Sequence, residues 1–529
     1  MKPKIRLVTP FAIAAGVAAF ALPGTASAAV TSTFANNTLT VTSDDAGDNI
    51  TIGVAGANIT APGTAGIPND GTVSLVVNAG GGNDNINISA PNFAGSPVVN
   101  GGDGDDTIVG SARTDTIDGG NGNDRITAGK NTVATDPETI HGGAGNDVII
   151  WNNGDGDDIN EGDAGVDETQ ILEAGTADDG NTITQEGTTT RFERTSGAGG
   201  FKVFSTNTME KLSLQSFSGN DTVATGPGVP IAMSIDSGPG NDTISTGDGP
   251  DRIVGDRGDD TINAGGGEDT MVWTNGDGND IMNGDAGTDI VENDLGNADD
   301  VSTLKMENGR VRYDRVNAPF SLSIGTSEVM LLNTFGGNDT LTTAPDVGIW
   351  LDVNAGAGND IIQGAAGSDR IDGGDGNDAI NVRDAQADLV TGGPGTDSAT
   401  VDAGDAVGAD VENVDRAAAP QPLPAPAAGA LTLPKTAKVS KGVAQIKVSC
   451  PAGTAGCAGS IALFSAKTIK VGALRAKLEL GRASFNVAAG QSKTVKIKLA
   501  PGTAKLAKKK KLAVTARVGE KTSKLTLSF

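Results

Sequence analysis

A nine-residue period constrains this chain more than any other feature. From Gly101 to Thr127 it reads GGDGDDTIV, GSARTDTID, GGNGNDRIT, with Asp in sixth place (Asp106, Asp115, Asp124) and Ile in eighth (Ile108, Ile117, Ile126). The register returns in SGPGNDTIS TGDGPDRIV GDRGDDTIN AGGGEDTMV (237–272) and in AGAGNDIIQ GAAGSDRID GGDGNDAIN (355–381). Isolated units stand at 79–87, 142–150 and 392–400. Glycines in first, second and fourth place permit backbone angles closed to other residues. The three residues after the Asp suit a strand, where successive side chains alternate faces. One nonapeptide is thus a turn plus a short strand, and two make a full coil. Residues two nonapeptides apart then stack at a strand spacing of about 4.8 Å.

That stacking sets a problem of charge. The eighth-place residues form a ladder that fills a narrow interior. The sixth-place carboxylates form a ladder of like charges, whose repulsion grows in low dielectric. The repeat blocks hold no comparable supply of Lys or Arg. The available donors are carboxylate and carbonyl oxygens, with no His or Cys in the consensus, which suits a hard divalent cation. Calcium accepts flexible oxygen-rich sites, whereas magnesium demands a stricter octahedron and keeps its waters. The competing reading, a flexible acidic tract, does not explain the strict register of the apolar place.

The units resemble the RTX, or haemolysin-type, calcium-binding repeat of parallel β-rolls: GGDGDDTIV and GGDGNDAIN match its G-G-x-G-x-D-x-U-x pattern in full. The resemblance covers roughly 79–400, interrupted by other segments. It implies that calcium is held by the sixth-place carboxylates and by turn carbonyls. By position that role falls on Asp106, Asp115, Asp124, Asp242, Asp251, Asp260, Asp269, Asp360, Asp369 and Asp378, and on Asp84, Asp147 and Asp397 in the isolated units. In GSARTDTID the turn glycines are largely gone, which makes Asp115 the weaker ligand. The repeats begin too early to leave room for the enzymatic or pore-forming domain that many members carry, so no such activity is transferred.

A secretory signal peptide is predicted at 1–28, with basic Lys2, Lys4 and Arg6, an apolar run from Phe11 to Leu22, and a small-residue site at Ala26–Ala28. No later segment is long and apolar enough to span a bilayer as a helix, so the mature chain is expected to have no transmembrane segment and to be secreted or held at the cell surface. The rest is expected to be all-β. N-terminal strands and a first parallel β-roll solenoid block fall at 29–171, further blocks at 216–291 and 336–416, with antiparallel strand segments at 172–215 and 292–335 that cap or flank the roll. WNNGDGDDINEGDAGVD from Trp151 and WTNGDGNDIMNGDAGTD from Trp273 mark an internal duplication at an offset of about 120 residues. A Pro/Ala-rich linker follows at 417–429. From 430 to 529 the charge inverts to +18 (17 Lys, 3 Arg, 2 Glu), so the remainder carries −45 of the total −27. Alternating short runs there predict an immunoglobulin-like β-sandwich, with Cys450 and Cys457 as a candidate disulfide closing a small loop.

With 77 Gly and 3% aromatic residues the chain lacks the large side chains of an ordinary globular core. It also lacks a catalytic set. His141, the sole histidine, sits in a turn without a nucleophile motif and is read as a solvated surface residue. Arg257-Gly258-Asp259 spells an adhesive tripeptide, but the nonapeptide pattern already accounts for it. The function expected is therefore non-enzymatic calcium binding by an exported chain whose acidic region folds as calcium binds. The alternative is an adhesin or surface-layer component with purely structural calcium; a secreted hydrolase is disfavoured. For the basic region, an anionic cell-envelope polymer or lipid headgroup and the protein's own acidic roll both remain open as partners, and nucleic acid is not expected.

Overall fold

The computed structural model describes residues 30–417, with breaks at 89–93, 131–136, 174, 197–199 and 207, and residues 433–529, with short breaks between 451 and 520. The expected signal peptide at 1–28 and nearly all of the expected linker at 417–429 lie outside the described residues.

Each repeat forms the expected short strand, three residues long in most units. Thr107–Val109 exposes Thr107 and fully buries Ile108. Arg125–Thr127 does the same with Ile126. Successive strands fall alternately into two sheets. One has 16 strands, all in parallel register, with Ile86, Ile108, Ile126 and Ile149 stacked. The other stacks Val99, Ile117 and Ile140 in the same manner. These ladders meet between the sheets as a core about one side chain thick on each side, which is how a chain poor in aromatics still excludes water.

The second sheet has 22 strands, and the excess is instructive. Gly180–Glu186, Thr189–Ser196 and Lys202–Ser205 form an antiparallel meander. Its outer strands also pair in parallel with Asp158–Ala164 on one side and Thr222–Thr225 on the other. Val301–Glu307, Arg310–Arg315 and Phe320–Gly325 repeat the arrangement. Across the roll, the 16-stranded sheet passes directly from Glu168–Leu172 to Lys211–Gln215, and from Ile290–Asp294 to Val329–Asn333. The antiparallel segments are thus built into one wall, and one hydrophobic core continues behind them from Trp151 to Val411. The extra strands leave a wider interior, filled by aromatics. Trp151 stacks on Phe201 at 3.5 Å and Trp273 on Phe320 at 3.7 Å, with Phe192 and Tyr313 beside them.

The C-terminal region is a separate seven-stranded sheet. In spatial order its strands are Glu479–Val487, Cys457–Ser465, Lys511–Val518, Lys521–Ser528, Thr436–Ser440, Val443–Ser449 and Ser492–Lys498. The first and last also lie against each other, so the sheet nearly closes. Ile446, Ile461, Leu463, Ile497 and Leu527 belong to its own core. Among the described residues no helix is long and apolar enough to cross a membrane.

Candidate metal centre

The turns before the strands put the carboxylates in line. The backbone N–H of Asp84 donates to Asp106 Oδ1 (2.8 Å), that of Asp106 to Asp124 Oδ1 (2.7 Å), and that of Asp124 to Asp147 Oδ1 (2.8 Å). Asp242 to Asp260, Asp360 to Asp378 and Asp378 to Asp397 repeat the bond at 2.8–2.9 Å. Each carboxylate therefore spends one oxygen on the neighbouring rung. The other, Oδ2, is buried without a hydrogen-bond partner in Asp84, Asp106, Asp124, Asp147, Asp242, Asp260, Asp269, Asp360, Asp378 and Asp397. Leaving so many buried acceptors unmatched is costly, and each is a free ligand atom.

The glycines complete the cradle. A Cβ on Gly101 would collide with Asp106 Oδ2 and with the Gly119 carbonyl; one on Gly119 would collide with Asp124 Oδ2 and meet the Gly142 carbonyl. A side-chain oxygen and a carbonyl thus converge on a space that only glycine leaves open.

Asp115, Asp251 and Asp369 differ. Their Oδ2 atoms accept N–H bonds from Ser111, Gly247 (3.2 Å) and Ala365 (2.7 Å), each four residues earlier in the same turn. The second place of the turn decides this. Gly102, Gly120, Gly143, Gly356 and Gly374 have φ between 90° and 112°, whereas Ser111, Gly247 and Ala365 are not at positive φ. In those three turns the backbone amide points at the carboxylate and bonds its Oδ2.

Burial pushes the unmatched carboxylates up: to about 7 for Asp84, Asp124, Asp269 and Asp360, and to about 8 for Asp260. Repulsion between rungs adds to it, as from Asp106 and Asp147 on Asp124. Groups held this way need a proton or a cation.

The same rung extends beyond the strict repeats. Asp179, Asp221 and Asp242 are joined by the same bond at 2.7 Å, as are Asp300, Asp339 and Asp360. Asp167, Asp280 and Asp388 also take rung positions. Glutamates accept the bond at three places: Glu210 from Asp167, Glu328 from Asp289, and Glu412 from Asp397. Sequence reasoning missed these because loops and meanders change the spacing from 18 to anything between 15 and 43 residues. A signal was present: Asp221, Asp280 and Asp339 each close a Gly-Asn-Asp triplet two residues before an inward apolar residue. Beside the meanders the chain supplies its own cation. Arg315 pairs with Asp300, and Arg194 lies 3.6 Å from Glu173 and 4.0 Å from Asp179, all buried.

The fifth places knit the coils in the opposite sense. Asn123 N–H donates to Asp105 Oδ1 (2.8 Å), Asn146 to Asn123 (2.9 Å) and Asn377 to Asn359 (2.9 Å). Asp259, of the Arg-Gly-Asp triplet, is a member of this ladder, bonded to Asn241 and Asn279 at 2.8 Å.

The family model for the RTX calcium-binding nonapeptide repeat (4 copies) matches residues 100–131, 135–150, 236–271, 276–298 and 352–381. These segments carry RTX calcium-binding nonapeptide repeats. The chain is an RTX-repeat protein of calcium-binding type over those segments. The donor set fits the ion: unmatched carboxylate oxygens and glycine carbonyls, all hard ligands. Bound calcium supplies positive charge between the rungs. The RTX rungs themselves run past the matched segments, through Asp388 and Asp397 to Glu412. No curated protein matches the chain as a relative.

Cys450 is buried and disulfide-bonded; the side chain of its candidate partner, Cys457, lies outside the described residues.

Proposed function

We propose that this is an exported protein whose RTX roll folds as calcium binds, and whose basic C-terminal domain holds it to an anionic polymer of the cell envelope. The observation that carries the folding step is the file of buried, unmatched Oδ2 atoms from Asp84 to Asp147 and on through both halves of the duplication. Ions are assigned to the rungs with an unmatched Oδ2 and not to Asp115, Asp251 or Asp369. Export rests on the N-terminal signal pattern.

The C-terminal domain is read as immunoglobulin-like, closed by a Cys450–Cys457 disulfide. Its pairing supports this. Thr436–Ser440 joins Val443–Ser449 antiparallel and Lys521–Ser528 in parallel, where a sandwich of this kind would pass from one layer to the other. Val443–Ser449 pairs with Ser492–Lys498, while Cys457–Ser465 pairs with Glu479–Val487 and Lys511–Val518. This order of pairing supports a Greek-key sandwich of that kind. Exposed Lys438, Lys447, Lys496 and Lys498 alternate with buried residues in these strands, which supports an anionic partner.

The test is circular dichroism of the mature chain titrated with calcium and, separately, magnesium. Strand signal should rise cooperatively with calcium alone and fall on chelation. A chelator-treated chain with its full strand signal and no calcium bound would refute the folding step. Binding to purified envelope polymer, lost when the four exposed lysines become Gln, checks the attachment.

A further inference from the structure

The outer face of the roll carries a cluster that calcium chemistry does not explain. His141, on Glu138–Ala144, is in register with Glu161, on Asp158–Ala164. His141 Nδ1 lies 3.3 Å from Glu161 Oε2 and 3.2 Å from Asp163 Oδ2. The three ligand atoms lie within 4.8 Å of one another. Two ligands of a tetrahedral zinc ion, each bonded at about 2.0–2.1 Å, sit about 3.3 Å apart. The side chains are 36%, 35% and 46% exposed, so solvent can complete a coordination sphere. Paired strands fix the backbones from which all three project.

The internal duplication provides a control. The offset that carries Trp151 to Trp273 carries His141 to Asn263, Glu161 to Asn283 and Asp163 to Asp285. Asn263 and Asn283 share the register of His141 and Glu161. There the Asn283 amide donates to Asn263 Oδ1 (2.8 Å) and Arg310 Nη1 donates to Asn283 Oδ1 (2.6 Å). The second copy thus closes this place with amides and an arginine. In the first copy the amides are replaced by an imidazole and a carboxylate, so two acids and one nitrogen converge, with no cation of the chain hydrogen-bonded among them in the described residues. Imidazole beside carboxylates selects a borderline transition metal over calcium.

We propose that His141, Glu161 and Asp163 form a site for one divalent transition-metal ion, of which zinc is the best fit. It is separate from the calcium rungs, and its second copy has been lost or never acquired the ligands.

The test uses the mature chain in saturating calcium, which keeps the rungs occupied. Zinc is titrated by calorimetry, and cobalt(II) by its visible absorption as a spectroscopic probe. The expected result is one equivalent of tight zinc and a cobalt absorption band, both lost in the H141N/E161N variant. That variant installs the residues the fold already holds at 263 and 283, so its calcium-induced strand signal should be unchanged. D163N, with Asn in a left-handed position it tolerates, is the second variant and should weaken zinc binding. N263H/N283E, placed beside Asp285, should gain zinc affinity at the second copy. A natural chain that binds no zinc under these conditions overturns the proposal, as does binding that survives in both H141N/E161N and D163N. A failure of calcium-dependent folding would appear in the strand signal and leaves the zinc comparison readable.

Discussion

The roll and the C-terminal sheet are both built wholly of β-strands, yet they place charge in opposite ways. In the sheet, strands such as Ser492–Lys498 alternate buried Val495 and Ile497 with exposed Lys496 and Lys498. The charges face water and the core is sealed from them. In the roll, the repeat strands bury their apolar residue and, two positions earlier, a carboxylate: Ile108 with Asp106, Ile126 with Asp124. Those carboxylates stack on one another. A charge left in solvent costs the fold little, whereas a buried file of like charges makes folding conditional on a counterion. The same strand geometry therefore gives one region whose stability belongs to its own side chains and another whose stability is shared with calcium.

The sharpest way to break this comparison is to remove calcium. Chelation should abolish the strand structure of the roll and leave the C-terminal sheet folded. Limited proteolysis in chelator should then digest the region before the linker and spare a fragment beginning near residue 433. Equal sensitivity of both regions would erase the distinction.

A pH titration in chelator comes next, because it acts on every rung. The folded carboxylates titrate near 7 to 8 at Asp84, Asp124, Asp269, Asp360 and Asp260, above the ordinary value of 3.8. The folded state then binds more protons than the unfolded one between those limits, so the stability of the metal-free roll falls as pH rises. It should be greatest below about pH 4 and lost through about pH 7 to 8. Strand signal in chelator should accordingly be larger at pH 5 than at pH 8. The C-terminal sheet, with no acidic rungs, should show no such trend, and calcium should suppress the trend in the roll.

Arg315 offers a test within the roll. It pairs with buried Asp300 and donates to Asn275 Oδ1 (2.8 Å). Arg315→Met strands the carboxylate and should cost about 3–5 kcal/mol in calcium, read from denaturant midpoints. Excess calcium should recover little of it, because the missing cation was covalently part of the chain. The smallest effects separate two kinds of rung. Asp124→Asn should lower the calcium stoichiometry and raise the calcium needed for folding, yet ease folding in chelator by removing one buried charge. Asp369→Asn, whose oxygens are already satisfied by Leu351 and Ala365 (3.0 and 2.7 Å), should leave the stoichiometry unchanged.

Much of the roll was legible in the repeat because period and register are the same fact: the Ile108–Ile126 pairing follows directly from two nonapeptides per coil. What was not legible depends on contacts distant in sequence. The meander around Thr189–Ser196 reads as local antiparallel structure, and nothing within it says that its outer strands pair with Asp158–Ala164 and Thr222–Thr225. Rungs such as Asp167 and Asp339 escaped because the period breaks at the loops before them. The division between Asp124 and Asp369 turns on the φ angle at one turn residue, which composition hints at for Ser111 and Ala365 but not for Gly247, a glycine that does not use its freedom.

The central claim is that an inorganic cation joins the rungs through the oxygen each Asp leaves unmatched. Diffraction from crystals grown in calcium, with the ions located by their anomalous signal, addresses it most directly. Density should appear beside Oδ2 of Asp106, Asp124, Asp260 and Asp378, with none in the turns of Asp115, Asp251 and Asp369. Empty turns at the first group, in a roll that is nonetheless folded, would contradict the account.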